Sequence, residues 1–192
     1  MPPISAIAFD AFGTLIQYGA QRTSPYRRLI RHRSAAPQEL RSTLMTRNVS
    51  VDILAQELGL APLIPVIRQE LEEETAALQL FPEVALTLQQ LRAAGKPVAL
   101  CSNLAYEYGP AVRRLLPELD AHILSFEVGA AKPEPAIYQA VCEGLNTPAG
   151  QILFIGDSQR CDLHGPQAFG MQARWLNRGA GHTLLTVLAE VM

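Results

Sequence analysis

Apolar residues along this chain fall into two textures that alternate. The first is a short solid run. Ile4, Ile7, Ala8 and Phe9 form one, too brief for a helix, and it stops at Asp10 ahead of Gly13 and Thr14. Such a run predicts a buried strand ending in a turn. Lys96 to Cys101 repeats the pattern and ends in Ser102 and Asn103; Ala121 to Phe126 is a third run; Ile152 to Ile155 is a fourth, closing on Gly156, Asp157 and Ser158; Met171 to Leu176 is a fifth. The second texture is helical. Val84, Leu88 and Leu91 recur at i, i+4 and i+7 behind Pro82, and Gly95 fits the position just past a helix C-terminus. Further helices are predicted around Gly109 to Leu116, from about Glu134 to Glu143, and from the Asp157 turn through Ala168. Short buried strands alternating with helices imply βαβ units and a parallel sheet covered on both faces.

The stretch between Leu15 and Phe81 breaks this rhythm. Ile16 to Gly19 extends the first unit as a short flap, and Leu40, Leu44, Val51, Leu54 and Leu58 then recur at helical spacing, with Gly59, Pro62 and Pro65 as breaks. An all-helical insert is the expectation. Its charge is divided: arginines 22, 27, 28, 31, 33, 41 and 47 face one acid, Glu39, after which Asp52, Glu57, Glu70, Glu72, Glu73 and Glu74 face Arg68 alone. The arginine-rich half reads either as a solvated helix face or as a surface that attracts an anionic substrate.

Composition narrows the function. With 192 residues, 48% of them apolar, the chain suits one compact domain or a core with a small insert. A net charge of -2 gives no reason to expect nucleic acid or an anionic membrane as partner. No apolar run approaches the roughly 20 residues of a membrane span, and no signal peptide is evident, so a cytoplasmic protein is expected. Cys101, Cys142 and Cys161 cannot all pair within one chain and lack C-x-x-C spacing, so reduced thiols are predicted rather than a disulfide framework or a zinc site.

The strand ends carry the chemistry. In open parallel sheets the ligand crevice lies beyond the carboxyl ends of the strands. Asp10 closes the first strand, Ser102 and Asn103 the second, Lys132 follows the third, and Asp157 closes the fourth with Asp162 five residues on. Each has an ordinary reading alone: a turn acid, a helix N-cap, a surface lysine, another cap. Together they put a nucleophilic carboxylate, a hydroxyl, a lysine and two further carboxylates on one side of the sheet.

These segments resemble haloacid dehalogenase superfamily hydrolases. F-D-A-F-G-T-L is similar to the first motif of that family, C-S-N to the second, A-K-P-E-P-A-I-Y to the third and F-I-G-D-S-Q-R-C-D-L-H-G-P-Q-A-F-G-M to the fourth. The resemblance implies an α/β fold: a Rossmann-like, doubly wound parallel sheet core (1–17 and 82–192) with a small helical cap inserted after the first strand (18–81). It implies Asp10 as nucleophile toward a small anionic substrate such as a phosphate ester. Ser102, Lys132 and backbone N–H groups around Gly13 and Asn103 would neutralise the phosphate, and Thr14 would bond the phosphate or the Asp10 loop. Asp10, Asp157 and the Phe12 carbonyl offer hard oxygen ligands to Mg²⁺, with Asp162 as a further ligand or a support.

One position departs from the phosphatase pattern. Phosphatases of the superfamily carry a second Asp two residues after the nucleophile as general acid and base, and here that residue is Phe12. Dehalogenases usually have an aromatic there, since a departing halide needs no proton. They are also metal-free and carry a Ser-Ser-Asn type segment where this chain has Gly156-Asp157-Ser158. Of their Trp-Arg cap segment, Arg41 and Arg47 are the nearest counterparts. Three readings follow: a Mg²⁺-dependent phosphatase of a small metabolite, a 2-haloacid dehalogenase-like enzyme, and a catalytically weak domain that binds a phosphorylated ligand or a protein partner.

Overall fold

The computed structural model describes residues 2–19, 23, 25–32, 37–189 and 191. Five of the predicted apolar runs are strands: β1 (Ala6–Phe9), β4 (Val98–Ser102), β5 (Ala121–Leu124), β6 (Ile152–Gly156) and β7 (Gln172–Trp175). They form one parallel sheet in the order β5-β4-β1-β6-β7. The chain winds outward from β1 through β4 to β5, then returns to the other side of β1 for β6 and β7. The winding therefore reverses around β1, and a crevice opens at the carboxyl end of such a switch point. Phe9 pairs with Leu100 on one side and Ile155 on the other, so the residues that follow these strands emerge together.

Alternation along the strands sorts the two faces. Ile7, Phe9, Leu100, Leu153 and Ile155 join one apolar cluster with Val84 and Leu91 of α5 (Val84–Ala93) and Val112 of α6 (Tyr108–Leu115). Ala6, Ala8, Ala99 and Phe154 join the other with Ile137, Tyr138 and Val141 of α8 (Pro135–Gly144). Alanines on this second face leave room for the Tyr138 ring, which meets Phe154 edge-on at 5.9 Å between centroids.

Two boundaries differ from the sequence reading. The third strand stops at Leu124, and Ser125 begins the short helix α7 (Ser125–Val128) instead of continuing the strand through Phe126. The reason is the Ser125 hydroxyl, which accepts from the Leu104 amide at 2.9 Å and donates to the Leu104 carbonyl at 3.2 Å, clipping the loop after β4. The helix expected to run from the Asp157 turn through Ala168 is divided into a wide π turn over Gln159–His164 and α9 (Gly165–Phe169). Pro65, expected to break a helix, instead lies in the first turn of one, where its missing N–H costs nothing.

Between β1 and β4 the chain leaves and re-enters the core through a two-stranded antiparallel ribbon of β2 (Ile16–Gln17) and β3 (Gln79–Leu80). The ribbon carries α1 (Tyr26–His32), α2 (Pro37–Thr46), α3 (Val51–Glu57) and α4 (Ile64–Ala76). Gly59, at φ +71°, ends the α3 segment. Leu29, Leu44, Leu54 and Ile67 belong to the same apolar cluster as Phe9 and Leu100, so the helical insert shares the core's hydrophobic interior. A core side chain also holds it: the Glu107 carboxylate accepts from the Val51 amide at the start of α3 and from the Tyr26 hydroxyl. Beyond β7, α10 (Leu184–Leu188) starts in a reciprocal capping box between Thr183 and Thr186 and buries Leu184 and Leu188.

The π turn is what points Asp162 inward, and Tyr138 supports it by donating to the Cys161 carbonyl at 2.6 Å. Gly165 packs against that hydroxyl so closely that an added Cβ would lie 2.1 Å from it and 3.0 Å from Pro133 Cβ. Tyr138 is fully buried and has nowhere to retreat. Gly165→Ala is therefore expected to lower stability by about 1–3 kcal/mol in urea unfolding, with partial recovery when Tyr138→Phe is added; an unchanged midpoint would refute this contact.

Candidate active site

Lys132 is buried, not a surface lysine. Its Nζ donates to Asp10 Oδ1 at 2.7 Å and to Asp162 Oδ1 at 2.6 Å, and lies 5.2 Å from the centroid of the Phe154 ring. Ser102 Oγ donates to the same Asp10 oxygen at 3.0 Å. Both donors thus converge on Oδ1, and among the described residues Asp10 Oδ2 accepts no hydrogen bond. Asn103 supports this arrangement from behind. Its Oδ1 accepts from the Lys132 amide at 2.7 Å and its Nδ2 donates to the Lys132 carbonyl at 2.9 Å, so this side chain is spent on holding the lysine's backbone.

The N-cap readings of these residues do not hold. The residue preceding α6 is Glu107 rather than Ser102 or Asn103, and the cap of the π turn is Ser158, whose hydroxyl accepts from the Cys161 amide at 3.2 Å. That leaves Asp157 available to the site. One oxygen from each of Asp10, Asp157 and Asp162 can be chosen so that all three lie within 4.8 Å of one another. Asp162 also accepts from the Ser158 amide at 2.9 Å.

Two glycines make the cluster possible. Gly13, at φ +80°, lies so near Asp157 that a Cβ there would sit 2.2 Å from Asp157 Oδ2; a Cβ on Gly156 would sit 2.4 Å from Asp162 Cγ. Asp157 is an exposed residue, but its carboxylate is packed against Gly13. Burial and then the Asp10 charge raise its pKa. Burial, opposed by Lys132 and reinforced by Asp10, pushes Asp162 up to about 6. Burial alone would lower the Lys132 ammonium; Asp10 and then Asp162 outweigh it and hold the group well above its ordinary range. Cys101, buried beneath, is pushed up to about 12 by desolvation and is an inert thiol. Thr14 Oγ1 is buried without a hydrogen-bond partner among the described residues.

A cavity of about 160 Å³ opens between the core and the helical insert. Phe12, Asn103, Leu104 and Tyr108 line it from the core side; Tyr18, Tyr26, Arg27, Arg41, Met45 and Glu74 line it from the insert side. Phe12 stacks on Tyr18 at 4.7 Å and meets Tyr108 edge-on at 5.7 Å. Buried Glu74 accepts from Tyr108 Oη at 2.8 Å and from Thr23 Oγ1 at 2.9 Å. A larger cavity, about 660 Å³, lies at the opposite end of β4 around Pro97, Leu116 and Asp120, away from these groups.

The divided charge of the insert resolves into pairs. Arg28 binds Glu70, Arg47 binds Glu57 and Arg68 binds Asp52. Arg22 and Arg33 lie outside the described residues. Arg27 and Arg41 make no ion pair among the described residues and line the cavity, whereas exposed Arg31 does not line it. Sequence reasoning missed Arg178, which donates to the carbonyls of Gly13 at 3.0 Å and Thr14 at 2.6 Å. It also passed over the aromatic wall of Tyr18, Tyr26 and Tyr108, which no local motif marks.

Fold and site together define a class: a doubly wound α/β protein with acid, hydroxyl and ammonium groups gathered at the switch point of its sheet. Residues 4–170 match the haloacid dehalogenase-like hydrolase family, and the chain belongs to it. It is 27% identical to (S)-2-haloacid dehalogenase 1 of Pseudomonas sp. (strain CBS-3), over 93% of this chain and 86% of the relative. It is 35% identical to a phosphoglycolate phosphatase of Shigella boydii serotype 4 (strain Sb227), over 73% of this chain and 56% of that protein. Its fold matches a HAD family enzyme from Bacteroides thetaiotaomicron, solved in complex with magnesium and inorganic phosphate, with a TM-score of 0.69 at 19% identity, covering 96% and 98% of the two chains. Relatives of both chemistries are thus present, and among the described residues no helix is long and apolar enough to cross a membrane.

Among the described residues, Lys132 is the single ammonium hydrogen-bonded to two buried carboxylates. Lys132→Met should cost about 3–5 kcal/mol, the usual cost of breaking a buried pair. The loss should depend on pH. With the ammonium gone, the already raised pKa of Asp162 rises further, so the folded variant binds a proton that the unfolded chain has released. Its stability should fall as pH rises from 5 to 8, more steeply than for the wild type. Parallel slopes for the two proteins in urea titrations would refute this.

Proposed function

We propose that this hydrolase is a Mg²⁺-dependent phosphatase of small anionic phosphate esters, with Asp10 as nucleophile and the helical segment 18–81 as the cap that closes over it. The observation carrying this reading is the set of Asp10, Asp157 and Asp162 carboxylates within 4.8 Å, opposed by one ammonium. The donors fit the group: hard carboxylate oxygens in excess of local positive charge are what Mg²⁺ takes. Asp10 and Asp157 would hold it, with the Phe12 carbonyl and Asp162 in reserve. When bound, the cation would supply charge neutralisation of the phosphoryl group.

The remaining work falls to the chain. Lys132 and Ser102 fix Asp10 Oδ1, leaving Oδ2 to attack phosphorus as the ester P–O bond breaks and the leaving oxygen departs with its electron pair; water later hydrolyses the resulting acyl phosphate, releasing phosphate and the Asp10 carboxylate. Backbone amides around Gly13 and Asn103, with the unpartnered Thr14 hydroxyl, are the nearby donors for phosphate oxygens. Arg27 and Arg41 attract the anion. The small cavity beside Phe12 suits a small substrate. Phe12 and its stacked partner Tyr18 offer no carboxyl where the family's phosphatases keep their general acid, so leaving groups stable as anions should depart best.

A second reading has its own support. An aromatic residue at position 12, and the similarity to (S)-2-haloacid dehalogenases, favour carboxylate attack on carbon with halide leaving unprotonated. Phosphate release from nitrophenyl phosphate and an alkyl phosphate, and chloride release from 2-chloropropionate, separate the two when each is measured with and without Mg²⁺. The expected result is Mg²⁺-dependent phosphate release, greatest for the aryl ester and absent in Asp10→Asn. Chloride release without metal would establish the second reading instead.

Two further outcomes follow from the same site. Phe12→Asp should raise turnover of the alkyl phosphate by about 10² to 10⁴, the usual worth of general acid–base catalysis. Saturating Mg²⁺ should stabilise the wild type by about 2.7 kcal/mol at a hundredfold excess over its dissociation constant, and Asp157→Ala should abolish that rise. A melting curve insensitive to millimolar Mg²⁺ would remove the metal from the proposal.

A further inference from the structure

The chain passes between the core and the helical insert through the two strands of the β2–β3 ribbon, and one guanidinium meets the chain at both of these junctions. Arg178 follows β7. Its Nε donates to the Gly13 carbonyl at 3.0 Å and its Nη2 to the Thr14 carbonyl at 2.6 Å, on the segment that leads into β2. Its Nη1 donates to Glu83 Oε1 at 2.8 Å, and its Cζ lies 3.5 Å from the centroid of the Phe81 ring, on the segment that leads out of β3. Phe81 and Glu83 immediately precede α5. The planar guanidinium, with its fixed fork of donors, suits this task as an ammonium would not.

The same residue reaches the candidate site through one atom group. Gly13, whose carbonyl Arg178 holds, is the residue packed against the Asp157 carboxylate. Asp157 is braced from the same strand end, because Trp175 Nε1 donates to its carbonyl at 2.7 Å and the Leu176 amide donates to the Gly156 carbonyl at 2.8 Å. We infer that Arg178 is a positioning residue: it locks both junctions of the β2–β3 ribbon to the core, and so couples the seating of the helical insert to the Gly13–Asp157 contact. This rests on the site proposed above, but not on which leaving group the site takes. Arg178 touches no reacting atom.

The test compares Arg178→Lys and Arg178→Gln with Arg92→Gln, which removes an exposed pair with Glu118 elsewhere. In the full chain, amide exchange over residues 11–17 and 79–84 should rise about tenfold or more in Arg178→Gln, less in Arg178→Lys and not in Arg92→Gln, while β4 and β6 keep their protection. On whichever of nitrophenyl phosphate or 2-chloropropionate the wild type turns over, kcat should fall about tenfold or more with KM changing less than about threefold, because the cavity contacts remain and only the reacting geometry is lost. Unchanged exchange at the ribbon, or a uniform rise that includes β4 and β6, overturns the inference; so does a KM increase with kcat retained. If the wild type turns over neither substrate, the proposed function fails and the exchange pattern alone decides the role of Arg178. If Arg178→Gln does not fold, Glu83→Gln, which removes only the ion pair, must show the same local rise at smaller size, and its absence overturns the inference.

Discussion

The Lys132 ammonium between Asp10 and Asp162 is the interaction on which the rest of the site depends. Taking an ion out of water costs several kcal/mol even after relaxation. Three such groups are tolerated here because the distances are short and most of their other polar atoms have partners. Ser102 donates to Asp10, the Ser158 amide donates to Asp162, and Asn103 holds the backbone that delivers the lysine. These donors come from the ends of β4 and β6, and the lysine from the segment after α7. The network therefore forms only when β1, β4 and β6 are in register and the segment after α7 is docked, which makes the site a consequence of the completed sheet.

Close packing then transmits that arrangement outward. Asp162 can turn inward because Gly156 has no Cβ and because the π turn, supported by Tyr138, presents it there. Asp157 can approach Asp10 because Gly13 has none either and adopts a backbone angle that side chains avoid. These glycines are required by contact distances of 2.2 and 2.4 Å, well inside what any Cβ could accept. The loop that carries Phe12 is consequently held on both sides, by the acid cluster and by Arg178.

Much of this was legible before any coordinates. The strand ends carry their chemistry in the local sequence, so Asp10, Ser102, Lys132, Asp157 and Asp162 stood out, and the sheet brings them together. Short apolar runs and the 3.6-residue period located the strands and most helices within a few residues. What the pattern could not show were features decided by distant contacts. Ser125 leaves the strand because its hydroxyl is taken by Leu104, twenty-one residues away. Arg178 lies 165 positions from Gly13 and follows no motif. The arginine-rich stretch looked uniform in sequence, yet Arg28 and Arg47 are neutralised by acids from α4 and α3 while Arg27 and Arg41 face the cavity.

Electrostatics decides how the two chemistries compare. At an effective dielectric of about 20, like charges 4.8 Å apart repel by roughly 3 kcal/mol, and Asp10, Asp157 and Asp162 carry two charges more than Lys132 cancels. An anionic substrate approaching Asp10 meets that excess whatever its leaving group. Arg27 and Arg41 stand on the far wall of the cavity and can draw the substrate in, but they do not neutralise the cluster. A proton can do so, consistent with the raised Asp157 and Asp162 pKa values, or a divalent cation can. A proton on Asp157 would leave less negative charge facing a haloacid, whose halide departs without a proton. The cation leaves all three carboxylates charged and presents positive charge where a phosphoryl group would bind. On the proposed phosphatase reading, a cation held by these carboxylates would offset their excess charge, and Phe12 would confine the reaction to leaving groups that depart without a proton.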